Sequence, residues 1–252
     1  MKKTIIALFA LAGMTQAATV ITFGGTSADY GFVTDAFVID SNKVAVSSFE
    51  HELSDGNSFS LTNTDGQNSS KFWAGKDGNI AGTWSNAAAL TEMNAAMGIS
   101  YTAAELSSGS GMYFTAPGNA YSKSTLTFDF SHAEAGDTIT MYVMATAYAG
   151  SLSTFDVTGL NDASVAYATN GGNGFSSTAA YSQGGGNITI FKVTGTLTDA
   201  DVALTPGAGV KSGFQSVAYT ITPAATPSIP EPTTATLSLL ALAGLAARRR
   251  RK

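Results

Sequence analysis

Apolar and polar residues alternate with period two along much of the middle of the chain. In residues 125–130, Leu126, Phe128 and Phe130 fall on one side and Thr125, Thr127 and Asp129 on the other, which predicts a strand with one buried face. Residues 138–148 alternate Ile139, Met141, Val143, Ala145 and Ala147 against Thr140, Tyr142, Met144, Thr146 and Tyr148. Neither set is purely polar, so this segment predicts a long central strand covered on both faces. Further strands are predicted at 155–157, 165–167, 188–194 and 217–221, separated by the turn sequences Gly171-Gly172-Asn173-Gly174 and Gly184-Gly185-Gly186-Asn187. The first half offers less regular candidates at 19–23, 31–39, 44–49 and 59–62, with Asp55-Gly56, Asp65-Gly66 and Asp77-Gly78 as hairpin turns.

One stretch breaks the alternation. Leu90, Met93 and Met97 recur at helical spacing behind Ser85 or Asn86, either of which can cap the helix, and Gly98 stands where a left-handed residue closes one. Thr102-Ala103-Ala104-Glu105 has capping-box spacing and predicts a second, short helix. Both helices are expected as lids on one end of the sheets. Together the pattern predicts an all-β fold: an antiparallel β-sandwich, jelly-roll-like, with one or two short helices, in one domain over residues 18–222.

The two ends of the chain follow other rules. Met1-Lys2-Lys3, the apolar run 4–12 and the small residues around Thr15-Gln16-Ala17 predict a signal peptide over 1–17, cleaved after Ala17 by the secretion machinery. Residues 223–229 read as a linker. After it come Pro230-Glu231-Pro232, an apolar segment at 233–247 and the cations Arg248, Arg249, Arg250, Arg251 and Lys252. The prolines bar a helix from starting before about Thr233, and the segment that follows is apolar all round. That predicts a single hydrophobic membrane helix with a basic stop, leaving the body outside by the positive-inside rule.

Proline-glutamate-proline, a short hydrophobic helix and an arginine-rich end, in this order and at the terminus, resemble the PEP-CTERM sorting tail of exported Gram-negative bacterial proteins. The resemblance covers 230–252 and not the body. It implies a sorting signal handled by an exosortase-type membrane protease, transient residence in the inner membrane, and a cell-surface or extracellular destination in association with polysaccharide.

Charge narrows what the body can meet. All four arginines lie in the tail, so six lysines face seventeen acidic residues over 18–229, a net charge of −11. No basic stripe exists, which argues against nucleic acid and favours a neutral glycan, a cation or a positively charged surface. The chain has no cysteine, so disulfide scaffolds, zinc–thiolate sites and cysteine nucleophiles are excluded.

Catalytic constellations are poorly represented. The two histidines, His51 and His132, have no nucleophile elbow to serve, and His51-Glu52 lacks the second histidine of a zinc-protease helix because Asp55 stands in its place. Oxygen-rich turns at 55–58, 65–68 and 77–79 contain calcium-ligand types but no closing glutamate at EF-hand spacing, so calcium is the one cofactor kept in view. Trp73 and Trp84, in an Asn- and Gly-rich region, are the candidate glycan contacts, with Tyr142 and Tyr148 behind them, while core anchoring is the competing role for both tryptophans. The sequence therefore points to an exported, non-catalytic envelope or matrix protein able to bind polysaccharide. A glycan-cleaving enzyme and a purely structural or adhesive protein are the alternatives.

Overall fold

The computed structural model describes residues 17–23, 35–37, 48–63, 71–75, 84–108, 111–115, 124–148, 155–177, 187–198, 201–206 and 211–225. The expected signal peptide (save Ala17), the sorting tripeptide, the helix at 233–247 and the basic end lie outside these residues. Among the described residues no helix is long and apolar enough to cross a membrane.

Thirteen strands and two helices are described. In chain order they are β1 (Thr19–Phe23), β2 (Asp35–Phe37), β3 (Ser48–Glu52), β4 (Ser58–Asn63), β5 (Lys71–Gly75), α1 (Ala87–Met97) and α2 (Ala103–Ser108). There follow β6 (Gly111–Thr115), β7 (Ser124–Asp129), β8 (Thr138–Tyr148), β9 (Phe155–Thr158), β10 (Leu160–Thr169), β11 (Asn187–Leu197), β12 (Asp201–Pro206) and β13 (Lys211–Thr222).

The strands form two sheets. The larger runs β10-β11-β8-β13-β1-β2, with β6 beside β13 and β5 beside β6; the smaller runs β3-β4-β7-β12-β9. Every pairing is antiparallel except β1 with β2. The predicted central strand is β8, flanked on both sides by β11 and β13.

Alternation decides what each face does. Ile139, Met141, Val143, Ala145, Phe191, Val193, Phe214, Val217 and Tyr219 of the larger sheet meet Phe59, Leu61, Leu126, Phe128, Val202 and Leu204 of the smaller in one buried core. Phe128 stacks on Phe130 at 5.6 Å between ring centroids, and Tyr219 meets Phe130 edge-on at 5.1 Å. The opposite residues of the larger sheet, Val20, Tyr142, Met144, Ile190 and Ala218, form a second buried cluster with Trp84, Ala89, Met93 and Met97. Here the structure departs from the expectation of lids: α1 packs on the outer face of the larger sheet, because that face is apolar and must be buried. The helix ends are those the sequence predicts. Asn86 Oδ1 accepts from the Ala89 amide, Gly98 adopts the left-handed conformation at φ 64°, and Thr102 and Glu105 exchange the two capping-box bonds of α2.

Candidate functional site

Trp84 and α1 define the covered side of the molecule. The Trp84 indole is 3 % exposed and donates its N–H to the Asn86 carbonyl at 2.9 Å. A ring so enclosed offers no face to a sugar, so Trp84 is a core anchor and its reading as a glycan contact gives way to the competing one. Asn86, fully buried, fastens the helix to the turn after β10. Its Nδ2 donates to the Thr169 and Gly174 carbonyls at 3.2 and 3.1 Å, and its Oδ1 accepts from Gly174 as well as capping α1. Ser85 adds two bonds to Asn170 Oδ1 and accepts the Gly171 amide. The Gly-rich turn is thus held by the two residues that precede the helix.

The exposed margin of this side carries one ion pair, Lys192 Nζ to Glu92 Oε1 at 2.6 Å. Lys192 lies 5.9 and 6.0 Å from the ring centroids of Tyr142 and Phe175. Its hydrogen bond to Glu92 holds the ammonium above its ordinary range, and burial pushes the Tyr142 hydroxyl up. Tyr142 is itself buried under Phe175, so its ring is packing and not a sugar platform. Tyr148 ends β8, opposite Lys211, and its side chain lies outside the description.

Trp73 stands in β5 opposite Tyr113 of β6, and β6 joins β13 through the pair Met112–Phe214. At that junction β13 has a register shift between Phe214 and Ser216, which leaves Gln215 as the extra residue of a bulge. Gln215 donates to the Leu106 carbonyl, while its Oε1 and the Thr22 hydroxyl are buried without a hydrogen-bond partner.

The smaller sheet turns a different face outward. Its registers align Glu52, Ser58, Asp129 and Asp201 in one cross-strand row. Glu50, Ser60, Thr127, Ala203 and Thr158 form the next, and Thr62, Thr125, Thr205 and Asp156 the third. All of these side chains are exposed or half-exposed. Thr125 and Thr205 bond hydroxyl to hydroxyl across strands at 2.9 Å. Rows recur at about 6.8 Å along a strand and neighbours at about 4.8 Å across strands, so the face is a regular grid of hydroxyls and carboxylates.

A buried polar network closes one end of the two sheets. Asp55, in the turn between β3 and β4, accepts from Tyr219 Oη at 2.5 Å, Thr19 Oγ1 at 2.7 Å and the Asn57 amide at 3.0 Å. Asn57 Nδ2 also reaches Tyr219 Oη at 3.3 Å. Burial works to raise the Asp55 pKa, but the bonds from Tyr219, Thr19 and Asn57 together outweigh it and hold the carboxyl below the usual range. Burial, then the hydrogen bond to Asp55 and the charge of that carboxylate, push the Tyr219 hydroxyl well above its ordinary value. Both Asp55 oxygens are thus engaged by protein donors, and the first oxygen-rich turn is a structural joint between sheets. The turns at 65–68 and 77–79 lie outside the described residues. Among the described residues no group of three or more His, Asp or Glu side chains is placed to hold a metal ion.

Sequence reasoning did not find this joint. Asp55 and Tyr219 stand 164 positions apart, and neither has a local signal beyond a turn and a strand.

Nothing among the curated proteins or the solved structures matches the chain. The family model of the PEP-CTERM protein-sorting motif matches residues 228–252, beginning two residues before Pro230 and including Pro230, Glu231, Pro232 and the basic end. It covers none of the body. The C-terminal tail is a PEP-CTERM protein-sorting motif, and it marks the chain as an exported protein sorted at the membrane by exosortase-type machinery.

Proposed function

We propose that this is a non-catalytic protein of the cell envelope or extracellular matrix whose body contacts polysaccharide through the open face of the smaller sheet. In this reading residues 1–17 are a signal peptide, 18–222 the body, 223–229 a linker, 233–247 a membrane helix and 248–252 its cytoplasmic stop. The match of 228–252 to the sorting motif carries the routing.

The observation that supports polysaccharide contact is the grid of Ser, Thr, Asp and Glu on β3, β4, β7, β12 and β9. Hydroxyls donate and accept, so such a face can exchange hydrogen bonds with a polyhydroxylated chain at many points. Strand order supports a jelly-roll-like sandwich, an architecture shared by lectins: β1-β13-β8-β11 lies beside β7-β12-β9, and the chain crosses between sheets at nearly every step from β7 to β13. Architecture alone does not give function, and the face carries the argument. The non-catalytic part of the reading is supported by Asp55, which its hydrogen bonds hold down where a general acid needs its pKa raised.

The test is titration of the exported protein with neutral, cationic and anionic polysaccharides, with and without calcium, alongside an assay for new reducing ends. Saturable binding without cleavage, lost on Ser60→Lys with Thr127→Lys, is the expected result. New reducing ends would overturn the non-catalytic reading. Failure to bind any of the panel would leave a structural or adhesive surface protein.

A further inference from the structure

The chain enters and leaves the body at one end. Thr19, at the start of β1, pairs with Tyr219, and β13 finishes at Thr222 opposite Thr138, the first residue of β8. Two residues later the Ala224 amide donates to Asp137 Oδ1 at 2.8 Å, while Asp137 Oδ2 accepts the Glu134 amide at 3.0 Å. Asp137 is only 8 % exposed, and its backbone carbonyl accepts from Leu197 at 2.8 Å. This clasp anchors the chain at Ala224, the last residue with such a bond among the described residues, and five residues, 225–229, separate it from Pro230. Five residues reach at most about 17 Å when fully extended. Whatever grips the tail at Pro230-Glu231-Pro232 is therefore confined to the neighbourhood of this end.

The same end is acidic. Glu52, Asp129 and Asp201 form its cross-strand row, and Asp55 and Glu134 lie in the adjoining turns. The described lysines lie elsewhere: Lys192 is paired with Tyr142 in mid-strand, Lys211 with Tyr148 at the far end of β8, and Lys71 with Thr115 in the β5–β6 pair.

We propose that this end of the body is a docking face for the exosortase-type sorting machinery, which grips the tail and contacts Glu52 and Glu134 through a basic surface. Asp137 is the positioning residue that sets the length of the leash. An anionic bilayer repels the same carboxylates, so the charge favours a protein surface over the lipid. The inference rests on the tail being sorted, and the experiment separates the two.

The full chain is expressed in a host that has the sorting machinery, and its release from the membrane fraction is followed by pulse-chase. Glu52→Lys with Glu134→Lys, or a ten-residue Gly-Ser insertion between Ala225 and Thr226, is expected to slow release at least about threefold, because each removes the tethered contact. The combination is expected to be no slower than either alone, since the same contact cannot be lost twice. Ala88→Lys with Ala95→Lys, at exposed positions of α1 on the covered side of the molecule, is expected to leave the rate unchanged. Asp137→Ala frees Pro223 and Ala224 and lengthens the leash by two residues. Its slowing is expected to be rescued by deleting Ala225 and Thr226, which a merely structural role for Asp137 would not allow. Unchanged release in both the charge-reversed and the lengthened chains overturns the docking face. A wild-type chain that never leaves the membrane fraction overturns the sorting reading itself.

Discussion

The two sheets share one core but present opposite kinds of face to the outside. On the larger sheet the outward residues Val20, Tyr142, Met144, Ile190 and Ala218 are apolar, and α1 with Trp84 and Phe175 covers them. On the smaller sheet the outward residues are Ser58, Ser60, Thr62, Thr125, Thr127 and Thr205 with acids around them, and they remain accessible to solvent. An apolar face must be buried to be stable, whereas a hydroxyl face loses nothing in water. Of the aromatic residues that suggest ligand contact in the sequence, Trp84 and Tyr142 are therefore drawn onto the covered side, where the fold consumes them. The accessible surface is made of residues that no motif singles out.

Substitutions on the two faces should separate stability from contact. Trp84→Ala strikes the covered side hardest, removing a buried ring and its bond to Asn86, and should cost about 3–5 kcal/mol by urea denaturation. A loss below 1 kcal/mol would mean the helix is not a true cover. Asn86→Ala removes the α1 cap and the links to Thr169 and Gly174, for about 2–4 kcal/mol. Hydrogen exchange should then quicken in residues 169–174 while β8 stays protected.

The joint between the sheets gives a pH signature. Asp55 has a folded pKa below its unfolded value near 3.9, so its contribution is fully present above that value and is lost as pH falls through the folded pKa. Tyr219 has a raised folded pKa, so its contribution is present below about pH 10 and is lost as pH rises beyond it. Stability should therefore hold between those limits and fall on the acid side. Tyr219→Phe should cost about 1–3 kcal/mol at neutral pH and flatten the acid limb. An unchanged acid limb would remove Asp55 from the account.

On the open face, Thr127→Lys should cost less than about 1 kcal/mol and still weaken polysaccharide binding. Parallel losses of stability and binding would contradict the division of labour. Glu92→Gln should have the smallest effect, under about 0.5 kcal/mol, because Lys192 and Glu92 are 32 % and 43 % exposed. A larger loss on thermal melting would show that the pair helps to seal the covered side.

What the sequence shows and what it hides divide along physical lines. Local patterns were legible: β7 and β8 from alternation, the ends of α1 from Asn86 and Gly98, α2 from its capping box. Three strands were not. β5 and β6 hold runs such as Phe72-Trp73 and Met112-Tyr113-Phe114 with no alternation, and β12 offers only Val202 and Leu204 as large apolar residues before it ends on Pro206. The seat of α1 on a face, where lids at one end were expected, depends on which strands become neighbours, and one chain's periodicity does not carry that information. The joint between Asp55 and Tyr219 and the clasp between Asp137 and Ala224 are hidden for the same reason. The sorting tail was legible because its signal is contiguous, and its match to residues 228–252 extends the expected boundary by two residues. For the body, the hydroxyl grid was present as the polar half of each alternating strand, but only pairing registers assemble it into a surface.

The central claim, that the tail governs where the body goes, is tested most directly by comparing the full chain with one ending at Ala225 in a host that has the sorting machinery. Cell fractions would be probed for the body by quantitative mass spectrometry of its peptides. The account predicts that the full chain passes through the membrane fraction to the cell surface or medium, while the shortened chain is exported but never enters the membrane fraction or reaches the surface. The same distribution for both chains would contradict it.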